Sequence, residues 1–268
     1  MVTIKHSTGT FRIGLILIDG FALMSYSSIV EPLRAANLLS RRACYDIKHI
    51  PVTGSWANSS SGASVKATGR VGQEDDFDLV LVVAGGDPAS FKDTKLFQWL
   101  RTLSRRGVDL GGVSGGPVIL ASAGVMEGRR MTVHWEHAAA LAESRTGLLI
   151  ERSLYVIDRD RFTCAGGIAP LDMMHALLTG HHGPAFARQV SDWFMHTDVR
   201  SASGPQRAGL VERYGTNNPP IIRAIEAMEN HIADPLDLAH LAKLSEISPR
   251  QLNRLFRSKM GQSTMNFY

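Results

Sequence analysis

Cysteine is nearly absent: the 268 residues include only Cys44 and Cys164. Two thiols far apart in sequence supply neither a disulfide framework nor a cysteine-based zinc site, so the fold must rest on its apolar core. A reducing cytoplasm is the compartment this usage suits. Long hydrophobic runs are missing too. The apolar stretch 13–18 is far too short to span a bilayer and lacks the small-residue cleavage pattern of a secretory leader, so no membrane partner is expected. Nor is one sign of charge in large excess: 29 Lys and Arg stand against 25 Asp and Glu, a formal net charge of +4, which excludes a general polycation. No internal repeat or low-complexity tract is visible. The remainder, 44% apolar and 20% charged, describes a globular chain long enough for one large domain and one small one.

The large domain is expected over residues 11–197. Short runs rich in Val, Ile and Leu, without polar alternation, mark buried parallel strands at 12–18, 46–52, 79–84, 109–113 and 154–157. A further strand, 161–164, pairs back through the turn Asp158-Arg159-Asp160. Helical patterns fall between them at 25–39, 91–105, 117–123, 136–144 and 168–178. Strand and helix in alternation predict an α/β fold with a doubly wound, mostly parallel sheet. Ligands of such sheets bind beyond the carboxyl ends of the strands. Those ends read Asp19-Gly20-Phe21, Gly85-Gly86-Asp87, Ser114-Gly115-Gly116 and Ala165-Gly166-Gly167. Glycines end strands in many proteins; three Gly-Gly pairs at three strand ends favour a pocket that backbone N–H groups can line.

Residues 198–219 carry breaker signals, Ser-Gly-Pro at 203–205 and Asn-Asn-Pro-Pro at 217–220, and are read as a linker. A small all-α domain, 220–268, follows. It opens with an amphipathic helix at 221–232. Asp234 is placed to cap a next helix starting at Pro235, whose buried stripe is Leu238, Ala239, Leu241, Ala242 and Leu244. Ser248-Pro249 repeats the start signal after Ser245-Glu246-Ile247, a link too short for anything but a turn. In the second helix Leu252, Leu255 and Phe256 face inward. Arg250, Arg254 and Arg257, at i, i+4 and i+7, face outward with Gln251, Asn253 and Lys259 nearby, and no acidic residue follows Glu246. Any amphipathic helix carries some charge; tandem caps, a short turn and one sign of charge together point to DNA. The pattern over 238–261, LAxLAxLSxISPRxLxRLFRxxxG, resembles the first helix-turn-helix of AraC-type transcriptional regulators. Members of that family have a second such unit after a connecting helix, which implies that this chain stops short of it and binds DNA poorly as given.

Gly112-Val113-Ser114-Gly115-Gly116 fits the G-x-S-x-G pattern of a serine hydrolase elbow. An enzyme reading would use Ser114, His134 and an acid, Glu31, with Glu127 the one acid between Ser114 and His134. Segments IVEPLRAAN (29–37), VAGG (83–86), GVSGG (112–116), TVHWE (132–136) and TCAGGIAPLDMM (163–174) resemble the class I glutamine-amidotransferase-like fold, a flavodoxin-like architecture, in the sensor form that precedes AraC-type helix-turn-helix domains. In hydrolytic relatives the elbow residue is a cysteine; Ser114 replaces it, and without an activating base a serine is a poor nucleophile. The absence of an elbow cysteine also argues against a redox or glyoxalase-like chaperone. The resemblance implies a retired active site reused to bind a small metabolite: an amino acid, a betaine or a related carboxylate. Ser114 with the N–H groups of Gly86 and Gly115, beside Gly85, would hold a carboxylate. His134 would offer a ring nitrogen, Glu31 a cation partner, and Phe21 and Trp135 aromatic faces for a quaternary ammonium. His49, His137, His175, His181 and His182 show no metal-ligand spacing, so no metal and no cofactor is expected. The whole reads as a ligand-responsive, cytoplasmic DNA-binding regulator, expected to be a homodimer because one short reader gains specificity from a second contact.

Overall fold

The first strand, β1 (Phe11–Leu17), shows why this sequence makes a sheet covered on both sides. Its Ile13, Leu15 and Leu17 enter one apolar core, while Ile16 and the following Ile18 enter another on the opposite face. Successive strand residues point to opposite faces, so an unbroken apolar run is what a doubly covered strand requires. The strand at Leu79–Ala84 divides the same way, Leu79, Leu81 and Val83 to one side and Val80, Val82 and Ala84 to the other. This is a computed structural model that describes residues 9–73, 76–231 and 235–268.

After β1 come α1 (Leu23–Ser40), β2 (Tyr45–Pro51), a hairpin of β3 (Trp56–Asn58) and β4 (Ser64–Lys66), β5 (Leu79–Ala84), α2 (Thr94–Arg105), β6 (Asp109–Ser114) and α3 (Gly116–Ser122). Then follow β7 (Arg130–Met131), α4 (Trp135–Ser144), β8 (Leu149–Ile150), β9 (Tyr155–Asp158), β10 (Arg161–Cys164), α5 (Ala169–His182) and α6 (Pro184–Trp193). The main sheet has the order β2-β1-β5-β6-β10-β9. All its neighbours are parallel except β9, which runs antiparallel to β10 with Arg161 opposite Asp158. Helices α1, α5 and α6 supply Ile29, Leu33, Met173, Leu177, Ala187 and Val190 to one core, and α2 and α3 supply Leu96, Leu100, Leu103 and Ile119 to the other. The chain is thus an α/β protein with a flavodoxin-like, mostly parallel sheet followed by a helical region.

The expected strands and helices are present with boundaries that shift locally, but 154–157, expected among the parallel strands, is the antiparallel edge strand β9, and it is β10 that runs parallel to β6. The helix expected from residue 91 starts at Thr94, because Asp93 Oδ1 accepts the Leu96 N–H at 2.8 Å and fixes the cap there. Features the sequence reading did not place are the β3–β4 hairpin, the two-residue β7–β8 ladder, α6 and a short helix at Leu210–Tyr214 inside the segment read as a linker.

The chain divides into two units between Gln206 and Arg207. The segment read as a linker, 198–219, therefore splits. Its first part is built into the α/β unit: Asp172, fully buried on α5, accepts from the Arg200 backbone N–H at 2.9 Å and from its guanidinium at 2.7 and 3.0 Å. His196 Nε2 lies 2.9 Å from the same carboxylate. Gln206 Nε2 reaches Ser153 O at 2.8 Å and Thr132 Oγ1 at 3.0 Å.

The second unit contains α7 (Leu210–Tyr214), α8 (Pro219–Asn230), α9 (Leu238–Leu244), α10 (Pro249–Met260) and α11 (Thr264–Phe267). Its own core gathers Ile221, Ala224, Ile225, Met228, Leu241, Ala242, Leu252 and Phe256. The expected cap Asp234 lies outside the described residues, and Pro235 does not begin a helix. Asp237 does the capping instead, accepting the His240 N–H at 2.8 Å. Leu244 and Ala239, both expected on the buried stripe, are exposed. No helix among the described residues is long and apolar enough to cross a membrane.

Candidate functional site

The elbow is built as the sequence predicts. Ser114 ends β6 with φ +60°, a left-handed conformation that a residue with a side chain adopts only at a cost, and α3 begins two residues later. The turn closes because its neighbours are glycines. A Cβ on Gly116 would lie 2.0 Å from Val82 O, and one on Gly166 would lie 2.7 Å from Ser114 Cβ. The β5, β6 and β10 ends thereby converge: Ser114 is paired with Ala84, Gly166 sits against the Ser114 side chain, and Gly115 faces Pro88.

Around this turn the machinery of a serine hydrolase is not assembled. Among the described residues, Ser114 Oγ has no hydrogen-bond partner that could act as its base. His134 contacts Ser114 through the backbone, its N–H donating to Ser114 O at 3.3 Å. Its ring instead caps α4, with Nδ1 accepting the Glu136 N–H at 3.4 Å. Burial, and next the neighbouring His137, hold the His134 imidazole below its ordinary pKa, with Glu136 opposing. Glu31 is engaged by Arg34, at 2.6 and 2.7 Å, and not by Ser114 or His134. Cys164, one strand away, is no substitute nucleophile, since complete burial pushes its thiol up to about 12.

The other expected ligand contacts fare unevenly. Phe21 is fully buried against Tyr26, so it is a core residue and offers no aromatic face. The Gly115 N–H already donates to Ala84 O at 3.2 Å. Gly86 is exposed with φ +61°, and Gly85 is half buried with Gly20 O pressed against it. Trp135 is 46% exposed and its ring lies 5.2 Å from that of His134. The structure thus groups Ser114, Gly115 and the His134 backbone, with Trp135 alongside. The reading of His137 as lacking ligand-like neighbours needs correction: His134, Glu136 and His137 bring ligand atoms within 4.8 Å of one another. The i, i+3 spacing of His134 and His137 with Glu136 between them is readable in the sequence, and the start of α4 at that point puts the three on one turn.

In the helical unit, α9 ends at Leu244 and α10 begins at Pro249, so the connection is the short turn expected. Ser248 and Gln251 form a reciprocal capping box: Ser248 Oγ accepts the Gln251 N–H at 3.3 Å, and Gln251 Oε1 accepts the Ser248 N–H at 3.0 Å. Leu252 and Phe256 are fully buried; Arg250, Arg254, Arg257 and Lys259 are exposed on the other side of α10. Among the described residues none of these four cations has an acidic partner. Two expected DNA contacts have structural duties. Gln251 spends its side-chain oxygen on the cap, and Asn253 Oδ1 accepts the Thr264 N–H at 2.9 Å, fixing the start of α11. Each keeps its amide NH2 group.

Residues 11–180 match the DJ-1/PfpI family. The HTH-type transcriptional regulator GlxA of Rhizobium meliloti is 44% identical over 100% of this chain and 83% of its own length. The HTH-type transcriptional regulator CdhR of Pseudomonas aeruginosa is 40% identical over 94% of this chain and 75% of its own. An AraC family transcriptional regulator from Pseudomonas putida superposes with a TM-score of 0.63 at 26% identity, covering 69% of this chain and 99% of that one. A strained elbow without its catalytic partners, a basic helix after a short turn, and relatives that are regulators and not enzymes agree: the chain belongs to the DJ-1/PfpI family, as an AraC-type DNA-binding transcriptional regulator with an amidotransferase-like sensor domain.

Proposed function

We propose that the first unit senses a small metabolite bearing a carboxylate, such as an amino acid or a betaine, in the crevice at the elbow, and that binding there changes the affinity of the second unit for DNA. The observation that carries this reading is the Ser114 turn: its costly backbone is retained while no base reaches its hydroxyl. A fold under no demand at this point would relax to an unstrained turn, so the retained geometry supports a binding role. Ser114 Oγ and the exposed Gly86 N–H would hold the carboxylate, with Trp135 supplying an aromatic face to an ammonium group. The Glu31–Arg34 pair is 43 and 53% exposed, so it is weak enough to exchange Arg34 for a cationic effector group. A differential affinity for two arrangements of the protein supplies the coupling.

On the DNA side, Arg250, Arg254, Arg257 and Lys259 face phosphates and base edges, with the remaining amide donors of Gln251 and Asn253 beside them. The protein acts as a homodimer, which gives a short reading helix a second half-site. A DNA-binding role and two free thiols, Cys44 and Cys164, support a reducing cytoplasm as its compartment. A thermal-shift screen against amino acids, betaines and small carboxylates tests the sensor. One class is expected to raise the melting temperature of the parent protein and to do so less for Ser114→Ala, since a ligand confined to the native state stabilises it. Ester or amide turnover that Ser114→Ala abolishes would instead make the chain a hydrolase.

A further inference from the structure

His134-Trp135-Glu136-His137 places two imidazoles and a carboxylate on the first turn of α4, with one ligand atom of each within 4.8 Å of the other two. We propose that His134, Glu136 and His137 form a binding site for one divalent transition-metal ion of the zinc class. The frame is fixed on both sides. His134 N–H is tied to Ser114 O at 3.3 Å, and the His137 N–H donates to His134 O at 2.9 Å. Of the three side chains, His134 is held by its cap to the Glu136 N–H at 3.4 Å, and Glu136 is the one most exposed and free to adjust. Glu136 is 68% exposed, its Oε2 lies 3.8 Å from His134 Nδ1, and the two imidazole centroids are 5.8 Å apart.

In a tetrahedral zinc site, with bonds of about 2.0–2.2 Å, ligand atoms lie roughly 3.3 Å apart. The present spacing is wider than that, so a bound ion would draw the three side chains together. Two nitrogens and one carboxylate oxygen suit zinc and its neighbours in the first transition row; magnesium and calcium favour all-oxygen shells. The N-terminal end of a helix disfavours a cation, but its partial charge is about half a unit and the Glu136 carboxylate brings a full negative one. Among the described residues no Lys or Arg is paired with Glu136 to compete for it. Three protein ligands leave a fourth position to water or to a carboxylate from solution.

The test uses the whole chain, stripped with a chelator and titrated with Zn2+ and with Co2+ in the absence of DNA and metabolites. The expected result is one equivalent of Zn2+ bound at micromolar or tighter dissociation constant, and visible absorption bands of a four-coordinate Co2+ centre. Glu136→Gln and His137→Ala should each weaken binding by about tenfold or more, the scale that even changes to outer-shell groups reach. His240→Ala, at an exposed histidine of the second unit, should leave it unchanged. Since Glu136 is exposed and His137 half buried, circular dichroism of the metal-free variants should match the parent and rule out misfolding. Binding no tighter than millimolar, or tight binding that survives both Glu136→Gln and His137→Ala, overturns the proposal.

Discussion

Ser114 and the glycines around it show how a single backbone position can carry the history of a site. A left-handed non-glycine residue costs on the order of 1–2 kcal/mol, and it persists only where its surroundings leave no alternative. Here Val82 O occupies the space a side chain at Gly116 would need. We expect Gly116→Ala to destabilise the α/β unit by about 3 kcal/mol or more, as a backbone clash inside a packed turn does. Urea denaturation followed by tryptophan fluorescence measures it; a loss below about 1 kcal/mol, the ordinary size of a mild substitution, would mean the turn relaxes easily. The pattern G-x-S-x-G was legible in the sequence, and so was the strand-to-helix turn. What the pattern could not show was the absence of a base at Ser114 Oγ. That depends on His134 turning its ring to cap α4 and on Glu31 meeting Arg34, an i, i+3 pair on α1 whose spacing was readable but whose distance from the elbow was not.

At the level of the element, α10 separates stability from recognition on its two faces. Phe256 is fully buried, packs edge-on against Phe267 at 5.2 Å and anchors the small core; Phe256→Ala should cost about 3–5 kcal/mol and unfold the second unit. Arg254→Ala and Arg257→Ala should leave the helical circular dichroism unchanged. Each should lower DNA affinity and reduce the slope of log K against log salt by about 1, as loss of one phosphate contact does. Filter binding at several salt concentrations distinguishes the two classes, and unaltered DNA binding by both arginine variants would falsify the assigned face. The sequence revealed α10 well because caps, amphipathic period and C-terminal Gly261 are all local signals. The first helix of the pair was placed three residues early: Pro235 mimics a helix start, but Asp237 reaches the free N–H groups and sets the boundary. α6 was missed although Pro184 marks its start and Phe186, Ala187 and Val190 recur at helical spacing against the first core; Gly183-Pro184 was read only as the end of the preceding helix.

Across the molecule as a whole, three histidines of the α/β unit share a response to acid. Burial is the first cause holding His49, His134 and His175 below their ordinary pKa. In the unfolded chain each takes up its proton near pH 6.5, before it does so in the fold. Between the two values the unfolded state binds more protons, so stability rises with pH there. The contribution is present above pH 6.5 and fades as the pH falls through each depressed folded value. Thermal melts from pH 7.5 down to 5 should therefore show a falling melting temperature. His134→Asn keeps a good cap for α4 and should flatten part of that fall; an unchanged profile would show that His134 titrates normally.

The sequence by itself determined the α/β class, the strand order of secondary elements along the chain, the position of the elbow and the two-helix reader, because each is written in periodicity, caps and turn residues a few positions apart. Tertiary structure decided which of those residues are available for chemistry. It buried Phe21, engaged the Gly115 N–H with Ala84 O and drew Arg200 onto Asp172, contacts between residues far apart in the chain. The reason is physical: a hydrogen bond or an ion pair is consumed by whichever partner lies nearest in space, and only the packed chain sets those distances.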